Sequence, residues 1–145
     1  MHTAFLSLGS NLGDKLANLK QAVNLFENSP KIELIKVSSW LSNPAIEEAG
    51  PHDFMNGVVK IKTDLSPTEL LNLIQKIELD IDKDRSKRGR KYARMIDIDI
   101  LLYDDLKLNS EDFIIPHPRM LYRYFVTHPL TEIEPNWSEK YQYAK

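Results

Sequence analysis

The chain has 145 residues, 42% of them hydrophobic, which is enough for one packed core with little left over. With 19 Lys and Arg against 21 Asp and Glu the net charge is -2, which excludes a polycation built to coat nucleic acid or an anionic membrane and makes any anion site local. Cysteine is absent, which excludes disulfides and thiolate metal sites; with no signal-peptide pattern and no membrane-length apolar run, a single domain over 1–145 in the cytoplasm is expected.

Thr3 to Leu8 alternates polar and apolar residues and stops at Gly9-Ser10-Asn11, predicting a first strand and a turn. From Asp14, Leu16, Leu19, Val23 and Phe26 recur at helical spacing until Asn28-Ser29-Pro30 closes the segment. Ile32 to Trp40 and Phe54 to Ile61 read as two strands separated by a loop containing Asn43-Pro44 and Gly50-Pro51. Ser66-Pro67-Thr68-Glu69 supplies a cap, a proline at the first helical position and an acid in the first turn. Leu70, Leu73, Ile74, Ile77 and Ile81 continue that second helix. Residues 83–94 carry seven cations against Asp84 without an apolar period, and are expected to form a mobile basic loop. Met95 to Tyr103 reads as a strand, followed by a turn at Asp104-Asp105 and a short partner strand near Leu106–Leu108. Beyond it, shorter helical or irregular pieces lead to a polar tail. The order βαββαβ is that of a ferredoxin-like α+β domain, an antiparallel sheet with helices packed on one face.

The period of two in Ile96-Asp97-Ile98-Asp99-Ile100 sets both carboxylates on one face of a strand, with Cα atoms roughly 6.6 Å apart. Magnesium, which takes one or two carboxylates plus phosphate oxygens and water, suits that spacing; a solvent-facing strand with two acids is the bland alternative. The basic loop is a solvated charge run, a nucleic-acid patch or a polyphosphate clamp, and its position just before the acids favours the clamp. Gly9-Ser10-Asn11-Leu12-Gly13 lacks the lysine and glycine spacing of a phosphate-cradling loop and reads as structural. His117 sits between two prolines. Phe54, Asn56 and Phe125 offer rings and an amide for a flat heterocycle, although such residues more often fill cores. Glu78 is equally readable as a surface acid.

Gly9–Asp14, Asn43-Pro44, Phe54-Met55-Asn56, Ile77-Glu78, Ala93–Leu101, Pro116–Met120 and Arg123–Val126 together resemble the 6-hydroxymethyl-7,8-dihydropterin pyrophosphokinase family over nearly the whole chain. Its most specific part is Arg94-x-x-Asp97-Ile98-Asp99-Ile100-Leu101. The resemblance implies transfer of the β,γ-diphosphate of ATP to the hydroxymethyl group of a reduced pterin, with AMP released, in folate biosynthesis. It implies two magnesium ions on Asp97 and Asp99, and ATP contacts from Gln75, Glu78, Arg94, Ile100, His117 and Arg123. It also implies a pterin pocket of Pro44, Ile46, Phe54, Asn56 and Phe125, and catalytic help from Arg94, Lys83 and Arg85. Lys83 stands where an arginine is usual, so Arg85 is expected to share its work. The partners expected are small molecules alone, with a monomer acting on neither nucleic acid nor membrane. Two other classes are an RNA-binding module, for which the aromatic RNP pattern is missing, and a metal-sensing domain without ATP chemistry. Magnesium-dependent retention of ATP separates these from the kinase.

Overall fold

The computed structural model describes residues 1–43, 53–84, 94–111 and 113–141. Strand β1 is His2–Ser10, helix α1 Lys15–Glu27, β2 Ile32–Val37, β3 Leu41–Asn43, β4 Phe54–Thr63, α2 Pro67–Ile81 and β5 Asp97–Tyr103. A hairpin of β6 Leu108–Asn109 and β7 Ile114–Ile115 follows, then a 3-10 turn Met120–Tyr122, α3 Tyr124–Ile133 and α4 Trp137–Lys140. The main sheet runs β2-β4-β1-β5, antiparallel throughout, and β3 extends the β2 edge along the first residues of β4. This is the ferredoxin-like order with β1 and β4 central, and α1 and α2 lie together on one face.

Local chemistry explains the helix ends. Asp14 caps α1 by accepting from the Ala17 amide, after Gly13 turns the chain at φ 73°, a conformation that favours glycine. Ser66 and Glu69 form the capping box of α2, each side chain taking the other's backbone N–H, with Pro67 at the first helical position. The apolar stripe of α2, Leu70, Ile74, Ile77 and Ile81, is buried against Ala4, Leu6, Leu8, Val59, Ile61, Ile98 and Ile100. In α1 the buried set is Asn18, Leu19, Ala22 and Phe26, while Leu16 faces solvent. Asn18 is inside because its amide donates to Leu12 O and Ser10 Oγ, tying the turn to the helix.

Three features differ from the sequence reading. The partner strand after Asp104 does not pair with β5; its residues 108–109 pair with 114–115 instead, making a separate two-stranded sheet. Residues 124–141, read as shorter helical or irregular pieces and a polar tail, form helices as that reading allowed, but their Val126, Leu130, Ile133, Trp137 and Tyr141 bury an unforeseen second core with Phe5, Val58, Leu101 and Leu102 on the opposite sheet face. A register shift between Phe5 and Leu6 lets Leu101 and Leu102 both join that second core, breaking the strict alternation of β5 beyond Ile100. The second core is closed by an ion network in which the buried Glu134 meets Lys60 at 3.0 Å and the largely exposed Lys140 at 2.8 Å. Glu134 stays ionised: burial opposes it, but hydrogen bonds from Lys140 and Lys60 win and hold its carboxyl below the usual range. No helix among the described residues is long and apolar enough to cross a membrane.

Candidate active site

Asp97 and Asp99 stand at the start of β5, the free edge of the main sheet, opposite Gly9 and Ser7 of β1. Residues paired directly across an antiparallel ladder share a face, so both carboxylates point to the side away from α1 and α2, beyond the area that α3 covers. The isoleucines between them point the other way and fill the helix-side core, which is what anchors the acids in place.

A cleft of about 380 Å³ opens along this edge. It is lined by Gln75 and Glu78 of α2, by Asp97, Ile98, Asp99 and Ile100 of β5, by Phe113 and Ile114 of the hairpin, and by His117 and Pro118 after the cis Ile115–Pro116 bond. Thus Gln75, Glu78, Ile100 and His117, expected on one substrate, share a single cleft with the two acids. Arg94 reaches it through an ion pair, Nη1 to Asp97 Oδ1 at 2.8 Å. Arg123, the residue before α3, lies near enough for its charge to act on Asp99 and His117, and its guanidinium is 6.0 Å from the Phe125 ring. Phe54 and Asn56 project from β4 to the same face as the carboxylates, two strands away. Lys83 is exposed just past α2 and does not line the cleft. Pro44, Ile46 and Arg85 lie outside the described residues, as do residues 85–93 of the basic segment.

The charges are strained towards anion excess. Burial, then the negative charges of Asp97 and Glu78, push the Asp99 carboxyl up to about 7, with Arg123 and Arg94 pulling it back. His117 is driven the other way, down to about 4, by burial and by Arg123 and Arg119, against the pull of Asp97. Its Nδ1 accepts the Arg119 amide at 3.2 Å, so the neutral ring carries its proton on Nε2 and is a donor. Among the described residues no cluster of three His, Asp or Glu ligands forms. Two hard carboxylate oxygens donors in an over-negative pocket, with room for other ligands, fit a magnesium ion whose shell is completed by phosphate and water.

Sequence reasoning missed the braces. Glu78 is 7% exposed, and its Oε2 accepts the Ile98 amide at 2.9 Å, satisfying an N–H on the free edge of β5. One turn later Asp82, fully buried, accepts the Met95 amide at 3.1 Å. From the other side Asn11 exchanges two bonds with Arg94, its side-chain Oδ1 accepting the Arg94 backbone N–H at 2.7 Å and its own backbone N–H donating to Arg94 O at 3.0 Å. The i, i+4 spacing of Glu78 and Asp82 and the Asn directly after Gly9-Ser10 were the available signals.

Fold and cleft together define a ferredoxin-like α+β domain with a paired-carboxylate cleft on its sheet edge and arginines at the rim. The family model for 7,8-dihydro-6-hydroxymethylpterin-pyrophosphokinase (HPPK) matches residues 5–135, and the chain belongs to that family. It is 41% identical over 130 residues to the 2-amino-4-hydroxy-6-hydroxymethyldihydropteridine pyrophosphokinase of Bacillus subtilis, covering 90% of this chain and 77% of that one. To the bifunctional protein FolKE of Lactococcus lactis subsp. lactis it is 38% identical over 133 residues, 92% of this chain but only 38% of that protein's length. A solved HPPK-DHPS structure in complex with substrates superposes with a TM-score of 0.67 at 15% identity, over 93% of this chain and 40% of the other, a likeness of fold.

Proposed function

We propose that this chain transfers the β,γ-diphosphate of ATP to 6-hydroxymethyl-7,8-dihydropterin, yielding the pterin diphosphate and AMP for folate biosynthesis. The observation that carries the reading is the single cleft joining Asp97 and Asp99 to Gln75, Glu78, Ile100 and His117, in a chain of the HPPK family. The hydroxymethyl oxygen forms a bond to the β-phosphorus, the bond from that phosphorus to the α,β-bridging oxygen breaks, AMP leaves, and the hydroxyl proton is lost. Asp97 and Asp99 hold two magnesium ions, which when bound neutralise the triphosphate. Arg94, already paired to Asp97, and Arg123 carry positive charge to the phosphates. His117 donates from Nε2 as a neutral ring, Gln75, Glu78 and Ile100 bind the nucleotide, and Lys83 and Arg85 assist from the basic segment. Asn56 reads the pterin edge while Phe54, Phe125, Pro44 and Ile46 enclose the ring.

The chemistry needs no covalent intermediate, because aligning two reactants can supply about 7–11 kcal/mol of barrier reduction. The protein works as a single-domain cytoplasmic monomer on small molecules. Incubation with ATP, magnesium and the reduced pterin should give AMP and pterin diphosphate in equal amounts. ADP with a monophosphorylated pterin, or no turnover by folded protein, would refute the assignment.

A further inference from the structure

We propose that Gly9 is a positioning residue for the pterin half of the site, leaving the space in which the Asn56 amide lies between the two substrates. The inference rests on the function proposed above and concerns a residue without a side chain.

Strand β1 runs between β4 and β5, and Gly9 pairs with Asn56 on one side and Asp97 on the other. Asp97, Gly9 and Asn56 therefore form one row across three strands, on the face away from α1 and α2. In the neighbouring row Ser7 pairs with Asp99 and Val58. Among the described glycines only Gly13 has a positive φ, so backbone freedom does not explain glycine at position 9. Space does. A Cβ there would lie 2.6 Å from Asn56 Nδ2, 3.6 Å from Asn56 Cγ and 3.7 Å from Phe54 Cδ1. The first of these is closer than two such atoms can approach, so any side chain at position 9 displaces the amide. Asn56 is 7% exposed and leans over β1, towards the acids, instead of standing upright on β4. The missing methyl thus sets the height and tilt of the group that reads the pterin edge, and with it the distance from the pterin to the triphosphate.

Gly9 acts through Asn56, and a double-mutant cycle isolates that link. Wild type, Gly9→Ala, Asn56→Ala and the double variant are titrated calorimetrically with the reduced hydroxymethyl pterin, in the presence of magnesium and a non-hydrolysable ATP analogue. Binding of the magnesium–analogue complex alone is the reference. Gly9→Ala should weaken pterin binding about tenfold, the loss expected when one hydrogen bond is misplaced, and leave analogue binding within about twofold. The double variant should bind pterin no worse than Asn56→Ala. Unchanged pterin binding in Gly9→Ala, or losses that multiply in the double variant, would overturn the inference while sparing the proposed function. If Gly9→Ala lowers the thermal midpoint severely, recovery of that midpoint in the double variant supports the clash, and no recovery overturns it. A wild-type protein that binds the analogue but not the pterin removes the proposed function and this inference with it.

Discussion

Asp97 and Asp99 are two residues apart on one strand face, yet the fold treats them differently. Asp97 is held by the Arg94 guanidinium at 2.8 Å, whereas Asp99 is partly buried, and that burial with the like charges beside it pushes it up to about 7. Removing Asp97 leaves a mostly buried arginine without that ion pair; removing Asp99 relieves repulsion. Without magnesium, Asp97→Ala is expected to unfold at a lower temperature than Asp99→Ala, while with magnesium and saturating substrates turnover of both falls by orders of magnitude. Equal melting points with near-normal turnover would reduce the pair to ordinary acids. The pH dependence follows from the same shifts. A carboxyl raised from 3.8 to about 7 binds its proton more tightly in the folded state, so Asp99 lowers stability as pH rises through that window. His117, lowered from 6.5 to about 4, raises stability as pH climbs between those values. The two oppose each other in wild type. Asp99→Asn leaves the histidine contribution alone, so its gain in melting temperature over wild type should widen from pH 4 to pH 7 and then level off; a gain independent of pH contradicts the burial of Asp99.

At the scale of elements, the edge strand β5 is held by side chains where another strand would otherwise lie. Glu78 on α2 and Asp82 at its C-terminal cap, four residues on, accept the Ile98 and Met95 amides and so dock the helix end to the strand start. Glu78→Ala leaves a buried amide without that acceptor, and is expected to cost about 1–3 kcal/mol in urea unfolding. Glu78→Gln keeps an acceptor oxygen and should cost much less, while lowering the Asp99 pKa by removing one of its negative neighbours. Similar losses from both variants would mean that charge, not the amide bond, is what α2 contributes.

Across the whole molecule one sheet is shared by two cores, and the only two tryptophans report on them separately. Trp40 packs against the core under α1 and α2, and Trp137 is buried in the other, its Nε1 donating to Thr131 Oγ1 at 3.1 Å. If the chain is one cooperative domain, Trp40→Phe and Trp137→Phe variants followed by fluorescence should each match their own circular-dichroism midpoint. A fluorescence transition displaced from its own circular-dichroism curve would divide the chain into two units. Trp137→Ala should cost about 3–5 kcal/mol, the usual penalty for emptying such a site. Because α3 presents Phe125 and follows Arg123, loosening it should also weaken pterin binding.

Local sequence determined what depends on neighbours a few residues apart. The capping box at Ser66, the stripe of α2, and the shared face of Asp97 and Asp99 follow from local spacing and from periods of 3.6 and 2. The family motifs were equally legible, since they are strings of residues. Tertiary structure decided the rest. Glu78 and Gln75 sit on the same helix and look alike in sequence, but only the docking of β5 makes one a buried brace and leaves the other exposed. The core role of residues 124–141 was not legible because their apolar side chains find partners on the far sheet face, more than 100 residues back at Phe5. The same distance hid the meaning of Gly9, whose missing side chain matters only once β1 lies between Asn56 and Asp97. Contacts across the sheet depend on pairing, and no local period encodes which strand a residue will face.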